Sequence, residues 1–343
     1  MAAAPATAQA ATVFPKSHVG FDSITQQIEK KLLKRGFQFN VICVGQTGLG
    51  KSTLINTIFA SHLMDSKGRM NPEEPIRSTT EIQSVSHVIE ENGVRLRLNI
   101  VDTPGYGDLI NNDRCWDPIV KYIKDQHSAY LRKELTAQRE GYLQDTRIHC
   151  CLFFIQPSGH GLKPIDIVVL KKLSEYVNVV PVIAKSDALT LEERAEFKAR
   201  IKEEFTFHNL RMYPYDNVEH DPDEVALNAR IKEQIPFAVV GSEKNIVVGG
   251  QQVRGRQNRW GVINGTVEDE THCEFVALRN FLTRSHLQDL IETTSFIHYE
   301  SFRAKQLLAL REGGGYSGGS RPISPSADRE LSRSSQRMTM NGY

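Results

Sequence analysis

Apolar residues along the chain switch between two periods, and the switches mark its elements. Phe37 to Val44 closes on Val41-Ile42-Cys43-Val44, a continuous run of the kind that forms a strand covered on both faces. Leu54, Ile55, Ile58 and Phe59 then recur at helical spacing. Val94, Leu96, Leu98 and Ile100 alternate with Arg95, Arg97 and Asn99, which predicts a half-buried strand entered through an Asn92-Gly93 hairpin turn. Cys150 to Ile155 and Val177 to Ile183 read as buried strands with a helix over Ile165 to Val177 before the second, and Phe237 to Val240 supplies a sixth. Thr190 with Glu193 predicts a capping box for a helix whose stripe is Phe197, Ile201 and Phe205. Asp221-Pro222 opens a helix carrying Leu227, Ile231 and Ile235. Strands alternating with helices predict an α/β fold with a mixed, mostly parallel, doubly wound sheet.

The first strand-to-helix junction carries chemistry. Residues 45–52 read GQTGLGKS, a full match to the phosphate-loop pattern, so Gly45, Gln46, Thr47, Gly48, Leu49, Gly50, Lys51, Ser52 and Thr53 form the candidate phosphate site. Glycines let backbone N–H groups curl around phosphate oxygens while the helix N-terminus directs its positive end at the same anion. Lys51 would reach the β- and γ-phosphates and Ser52 would ligate Mg²⁺. The alternating strand ends in Asp102-Thr103-Pro104-Gly105, where Asp102 can hold Mg²⁺ through water and the Gly105 N–H can meet a γ-phosphate. Thr79 and Thr80 lie between these motifs; Thr79 is preferred as the switch hydroxyl that meets Mg²⁺ and positions water, with Arg77 beside it. A third motif, Ala184-Lys185-Ser186-Asp187, follows a buried run. Asp187 can accept from guanine N1–H and its exocyclic amine together, a pair adenine does not offer, while the Lys185 stem lies over the base. GTP is therefore favoured over ATP. Tyr106 stands where small signalling GTPases commonly place a water-orienting glutamine, which predicts slow turnover.

Composition narrows the classes. The 343 residues can bury a full core, and a formal net charge of +1 gives no bias toward nucleic acid. Five cysteines without a CxxC pair suit a reduced, cytosolic protein. The Ala-rich start reads as neither signal peptide nor membrane span, and from Gly313 the Gly, Ser and Arg content predicts a disordered tail. Ile24, Ile28 and Leu32 form a stripe beside Lys30, Lys31, Lys34 and Arg35, an amphipathic basic helix that either packs on its own domain or meets an anionic surface.

Together GQTGLGKS, IVDTPGYGD at 100–108, AKSD at 184–187, and the block with FAVVGS, VRGR and Trp260-Gly261 near 237–261 resemble the septins, over about Phe14 to Lys305. The resemblance is to septins lacking a C-terminal coiled coil, since glycines rather than heptads follow Leu307, Leu308 and Leu310. It implies a P-loop GTPase domain with a septin-specific C-terminal element, arranged as 1–20 flexible N-terminus, 21–36 basic entry helix, 37–242 GTP-binding core, 243–310 interface element and 311–343 tail. It further implies a GTP/GDP- and Mg²⁺-binding subunit of hetero-oligomeric filaments, with other septins and itself as partners, at phosphoinositide membranes of the cell cortex or division site during cytokinesis. By the same resemblance Gly241 and Arg256 contact guanine, His160 and Glu193 touch nucleotide in a neighbour, Trp260 lies in an interface, and Thr79 matches the threonine of hydrolytically competent members. The basic helix becomes a membrane and subunit contact. Asn264-Gly265-Thr266 departs from the family as a longer turn. The competing expectation is a soluble monomeric switch GTPase, which uses the motifs up to Asp187 and leaves the Trp260 block unexplained.

Overall fold

A computed structural model of the chain describes residues 22–64, 81–107, 112–136, 143–215, 222–248, 250–258 and 261–313. Arg77, Thr79, Thr80, Trp260 and the proposed N-cap Asp221 lie outside those residues. The chain divides into two compact units, Met1–Glu300 and Ser301–Tyr343.

In the first unit, helix α1 (Asp22–Arg35) leads into β1 (Phe37–Gly45), α2 (Lys51–Ile58), β2 (Gln83–Glu91), β3 (Val94–Asp102), α3 (Asp117–Leu135) and β4 (Cys150–Ile155). Then come α4 (Pro164–Leu173), β5 (Val179–Ile183), α5 (Leu191–Phe207), α6 (Pro222–Gln234) and β6 (Phe237–Ala238). The sheet runs β2-β3-β1-β4-β5-β6, with β2 antiparallel to β3 and every other pairing parallel, as the alternation of strands and helices predicts. Asn92 and Gly93 both have positive φ, the geometry that joins twisted strands through a two-residue turn.

The apolar run of β1 is buried on both sides because the sheet is covered on both. Phe39, Val41 and Cys43 join Leu54, Ile55 and Ile58 of α2 in one core. Ile42 and Val44 join Ile119 and Ile123 of α3, Val169 and Leu170 of α4, and Phe197 and Ile201 of α5 in the other. Each such side chain contributes about 1.5–3 kcal/mol by leaving water. All five cysteines are free thiols; four are buried and Cys115 is half-buried.

Several boundaries differ from expectation. Helix α4 stops at Leu173 rather than reaching Val177, because the Tyr176 and Val177 amides close back on the Leu173 carbonyl before β5 begins at Val179. Strand β6 has two residues, and Val239 and Val240 continue it as buried extended chain. A second sheet, β7 (Asn245–Val248), β8 (Gln251–Asn258) and β9 (Gly261–Thr266), is antiparallel in that order. Asn264-Gly265-Thr266 belongs to β9, and a register shift between Gly255 and Gln257 absorbs the irregularity, so the expected long turn is a bulged ladder. Helices α7 (Phe275–Asn280) and α8 (Leu287–Thr293) follow, each succeeded by a π-helical turn, and then α9 (Glu300–Gly313).

Toward the start of β1, a buried polar cluster joins that strand to the segments before β4 and β5 and to the helical region 287–299. Asn40 Nδ2 donates to the Arg147 carbonyl at 2.6 Å, Asp145 pairs with Arg147 at 2.6 Å, and His149 Nε2 lies 3.2 Å from Asp145. Asn178 Nδ2 donates to the His149 and Leu290 carbonyls, and His298 Nε2 sits 3.1 Å from Asn178 Oδ1. Burial lowers the pKa of His298 to about 4, and that of His127, whose Nε2 faces the Tyr176 carbonyl, to about 4.

Candidate nucleotide site

Parallel strands deliver their following loops to one edge of a sheet, and here those loops carry the motifs. The Gly45–Gly50 loop follows β1, Asp102–Gly105 closes β3, residues 156–163 follow β4, Ala184–Asp187 follows β5, and Val239–Ser242 follows β6. The chain reverses direction across the sheet at β1, since β3 lies on one side of it and β4 on the other, the topology at which α/β sheets open a ligand crevice.

Gly48 and Gly50 have φ of 79° and 86°, and Gly50 is the N-cap of α2 with no side-chain capping bond. The first turn of α2, Lys51 to Thr53, therefore directs the positive end of the helix toward an incoming anion. Lys51 is buried, its Nζ 3.1 Å from the carbonyls of both Gly45 and Gln46, so the ammonium is held at the loop's inner wall. Ser52 Oγ lies 3.4 Å from Asp102 Oδ2, which brings together two of the three side chains expected at Mg²⁺; Thr79, the third, lies outside the described residues. A hydroxyl, a carboxylate and flanking water sites suit a hard, oxygen-seeking cation. Thr103 Oγ1 donates to the Cys43 carbonyl at 2.8 Å and fastens the Asp102 segment to β1. Gly105 is packed so closely that an added Cβ would stand 2.1 Å from Thr47 Oγ1. The residues present therefore fit a nucleoside triphosphate with its metal.

The base side is assembled from distant chain. Lys185, at φ 51°, turns the end of β5 and is exposed; Asp187 follows in a short 3₁₀ turn. Arg256 of β8 reaches Asp187, Nη1 to Oδ1 2.9 Å, so two side chains expected at guanine meet across 69 residues of sequence. An added Cβ on Gly241 would be 3.0 Å from Leu54 Cα, so the β6 loop lies directly against α2.

The other expected residues are placed as follows. Glu193 Oε2 accepts from the Thr190 N–H at 2.9 Å and the Glu193 N–H donates to Thr190 Oγ1 at 3.2 Å, the reciprocal box predicted for α5, and these bonds lower the Glu193 pKa. His160 is exposed on the loop after β4. Lys30, Lys31, Lys34 and Arg35 are exposed on α1, which enters the sheet at the edge opposite the loops. Tyr106 is buried, its hydroxyl donating to Asp166 Oδ1 at 2.7 Å; burial, then the Asp166 charge, pushes its pKa far up. Two participants, Lys163 and Gln156, had no sequence signal. Lys163 Nζ binds Gln46 Oε1 at 3.0 Å and Gln156 Oε1 at 2.6 Å, tying the start of α4 to the phosphate loop. Only Pro164 marks that helix start, and nothing in the spacing directs Lys163 to Gln46.

Comparison with known proteins places this geometry. A solved septin GTPase domain from Chlamydomonas reinhardtii superposes with a TM-score of 0.56 and 25% sequence identity, covering 78% of this chain and 98% of that one. The septin homologue spn2 of Schizosaccharomyces pombe is 67% identical over 296 residues, 86% of this chain and 89% of its own length. Cell division control protein 10 of Saccharomyces cerevisiae is 58% identical, covering 88% and 93%, and neuronal-specific septin-3 of Bos taurus is 49% identical, covering 84% and 81%. With the septin family model matching residues 35–314, a span that holds the phosphate loop, the Asp187 turn and both sheets, this chain belongs to the septin family.

Proposed function

We propose that the chain is a GTP-binding, slowly hydrolysing septin subunit that assembles with other septins, and with copies of itself, into filaments at membranes and serves as a cytoskeletal scaffold at the cell cortex or division site. The observation that carries the reading is the convergence of Lys51, the Ser52–Asp102 pair and the Asp187–Arg256 pair on one sheet edge. Lys51 and the α2 amides bind the phosphates, Asp187 and Arg256 with Gly241 hold guanine, and Ser52, Asp102 and Thr79 hold Mg²⁺. The metal, when bound, neutralises charge developing on the transferred phosphoryl group. Thr79 positions the attacking water. Slow turnover is supported by Tyr106, whose side chain is committed to Asp166 in the core and is not available to orient water.

Assembly at a membrane is supported by α1. Its stripe stands in water, with Ile24, Ile28 and Leu32 exposed at 46%, 54% and 43%, beside the exposed basic row. A helix that showed its apolar side to solvent would gain by covering it, and several basic residues would each add about 1 kcal/mol near an anionic leaflet. His160 and Trp260 are assigned to the contact across the nucleotide side. A role in division is supported by relatives named for cell division control.

The test is to extract and identify nucleotide from purified protein and to measure its mass at low and high salt. Guanine nucleotide in salt-sensitive assemblies is expected, with Lys51→Ala losing the nucleotide. A strict monomer that stays monomeric beside other septins would favour the soluble switch, and full nucleotide content in Lys51→Ala would refute the site.

A further inference from the structure

The loop that follows β6 is held by a clamp outside the nucleotide site. The extended chain Phe237–Val240 has β5 on one side: Val239 N–H donates to the Ile183 carbonyl at 3.0 Å, and Ser186 N–H, within the Asp187 motif, donates to the Val239 carbonyl at 3.1 Å. On the other side no strand follows among the described residues, and the segment Cys273-Glu274 takes its place. Ala238 N–H donates to Glu274 Oε2 at 2.7 Å, Glu274 N–H returns a bond to the Ala238 carbonyl at 2.9 Å, and Val240 N–H points at Cys273 Sγ at 3.3 Å.

The clamp is anchored on α5. Lys198 Nζ binds both Glu274 oxygens, at 2.7 and 2.9 Å, and the Gln234 carbonyl at the end of α6, at 2.7 Å. One turn earlier, Arg194 donates to the His272 carbonyl at 2.5 Å. Burial lowers the Lys198 pKa while the Glu274 charge opposes that shift. The far side of the held loop is Gly241, packed on Leu54 of α2, and then Ser242, whose carbonyl accepts from Thr57 Oγ1 at 3.3 Å and whose hydroxyl donates to the Gly255 carbonyl beside Arg256.

We propose that Glu274, anchored by Lys198, is a positioning residue for guanine recognition: it fixes the register of residues 238–241, and so the place of Gly241 against Leu54, without touching nucleotide. This rests on the guanine-binding reading above. Loss of the carboxylate frees the Ala238 N–H and unlocks the loop on the base side, while the phosphate loop, Lys51 and Ser52 keep their own supports on β1 and β3. The inference therefore predicts a loss confined to the base, not to the phosphates.

Affinities for GTP, ATP and inorganic tripolyphosphate, each with Mg²⁺, would be measured by titration calorimetry on the wild type, Glu274→Ala, Glu274→Gln and Lys198→Met. In Glu274→Ala, GTP affinity is expected to fall about tenfold, the order for a hydrogen bond to a charged group, with tripolyphosphate changed by less than about twofold. Glu274→Gln, which keeps an acceptor for the Ala238 N–H, should recover most of the loss. Should Glu274→Ala fail to fold, Lys198→Met, which removes the anchor and leaves the acceptor, must show the same split between GTP and tripolyphosphate. Equal losses for both ligands, or unchanged GTP affinity, would overturn the positioning role. A wild type that binds GTP no better than ATP would overturn the guanine reading itself.

Discussion

Replacing Tyr106 by Phe isolates one buried hydrogen bond. The phenyl ring keeps its place against Phe153, 5.9 Å away between centroids at 29°, so apolar burial is retained and only the hydroxyl is lost. That hydroxyl stands 2.7 Å from Asp166 Oδ1 in a site where both residues are buried. The other Asp166 oxygen accepts from the Lys163 N–H at the long distance of 3.4 Å, and burial already raises the Asp166 pKa, so little else compensates the carboxylate. Removing the donor leaves a desolvated acceptor, and the cost should be about 2 kcal/mol, within the range for bonds to charged groups. Urea unfolding at fixed protein and GDP concentration measures it, the ligand being held constant because binding itself shifts stability. Asp166→Ala, which orphans the tyrosine hydroxyl instead, should cost at least as much. The double variant Tyr106→Phe/Asp166→Ala should cost about 1 kcal/mol less than the sum, because neither partner is left orphaned. A Tyr106→Phe change below about 0.5 kcal/mol, or strict additivity in the cycle, would refute this account.

Acid should weaken the fold before its carboxylates titrate. His127 and His298 have native pKa values of about 4 against about 6.5 in an unfolded chain, so their stabilising neutrality is complete above pH 6.5 and is lost as pH falls toward 4, by about 1.4 kcal/mol per unit for each histidine. Asp145 does not share this window: burial alone would raise its pKa, but bonds from His149 and Arg147 hold it below the usual range, so its contribution fades only under pH 4. Urea midpoints that stay flat between pH 7 and 5 would contradict the histidine assignment. Changing Lys30, Lys31, Lys34 and Arg35 together to Ala should reduce sedimentation with anionic liposomes, and unchanged pelleting would remove the membrane role from α1. Thr79→Ala should slow GTP turnover at least tenfold while sparing GTP affinity within about twofold; equal turnover would move the water-positioning role elsewhere.

Features encoded over a few residues were legible in the sequence. Asn92-Gly93 and the Thr190–Glu193 box are local chemistry, and each appears in the structure with its expected φ angles or bonds. The buried run of β1 was legible because both faces must be apolar when a sheet is covered twice. Contacts between residues far apart were not. Tyr106 read as a missing glutamine because its partner Asp166 lies 60 residues on, and no periodicity couples them. The Lys198–Glu274 clamp spans 76 residues and looks in sequence like two surface charges. The end of α4 was misplaced for a different reason: Val177 is as apolar as a helix stripe requires, and only the bonds back to Leu173 show the chain turning.

The thiols of β1 and β4 offer a clock for the opening of the sheet. Cys43, Cys150 and Cys151 sit fully buried in adjacent central strands, and burial raises the pKa of each. An alkylating reagent attacks the thiolate and needs access, so these three sulfurs stay silent in the native state. Cys115, half-buried in the segment before α3, answers first and marks local motion alone. The later, slower labelling at Cys43, Cys150 and Cys151, resolved by peptide mapping from that of buried Cys273 outside the sheet, then reports the rate at which the middle of the sheet comes apart, and its retardation by guanine nucleotide would read out how firmly the ligand keeps that sheet closed.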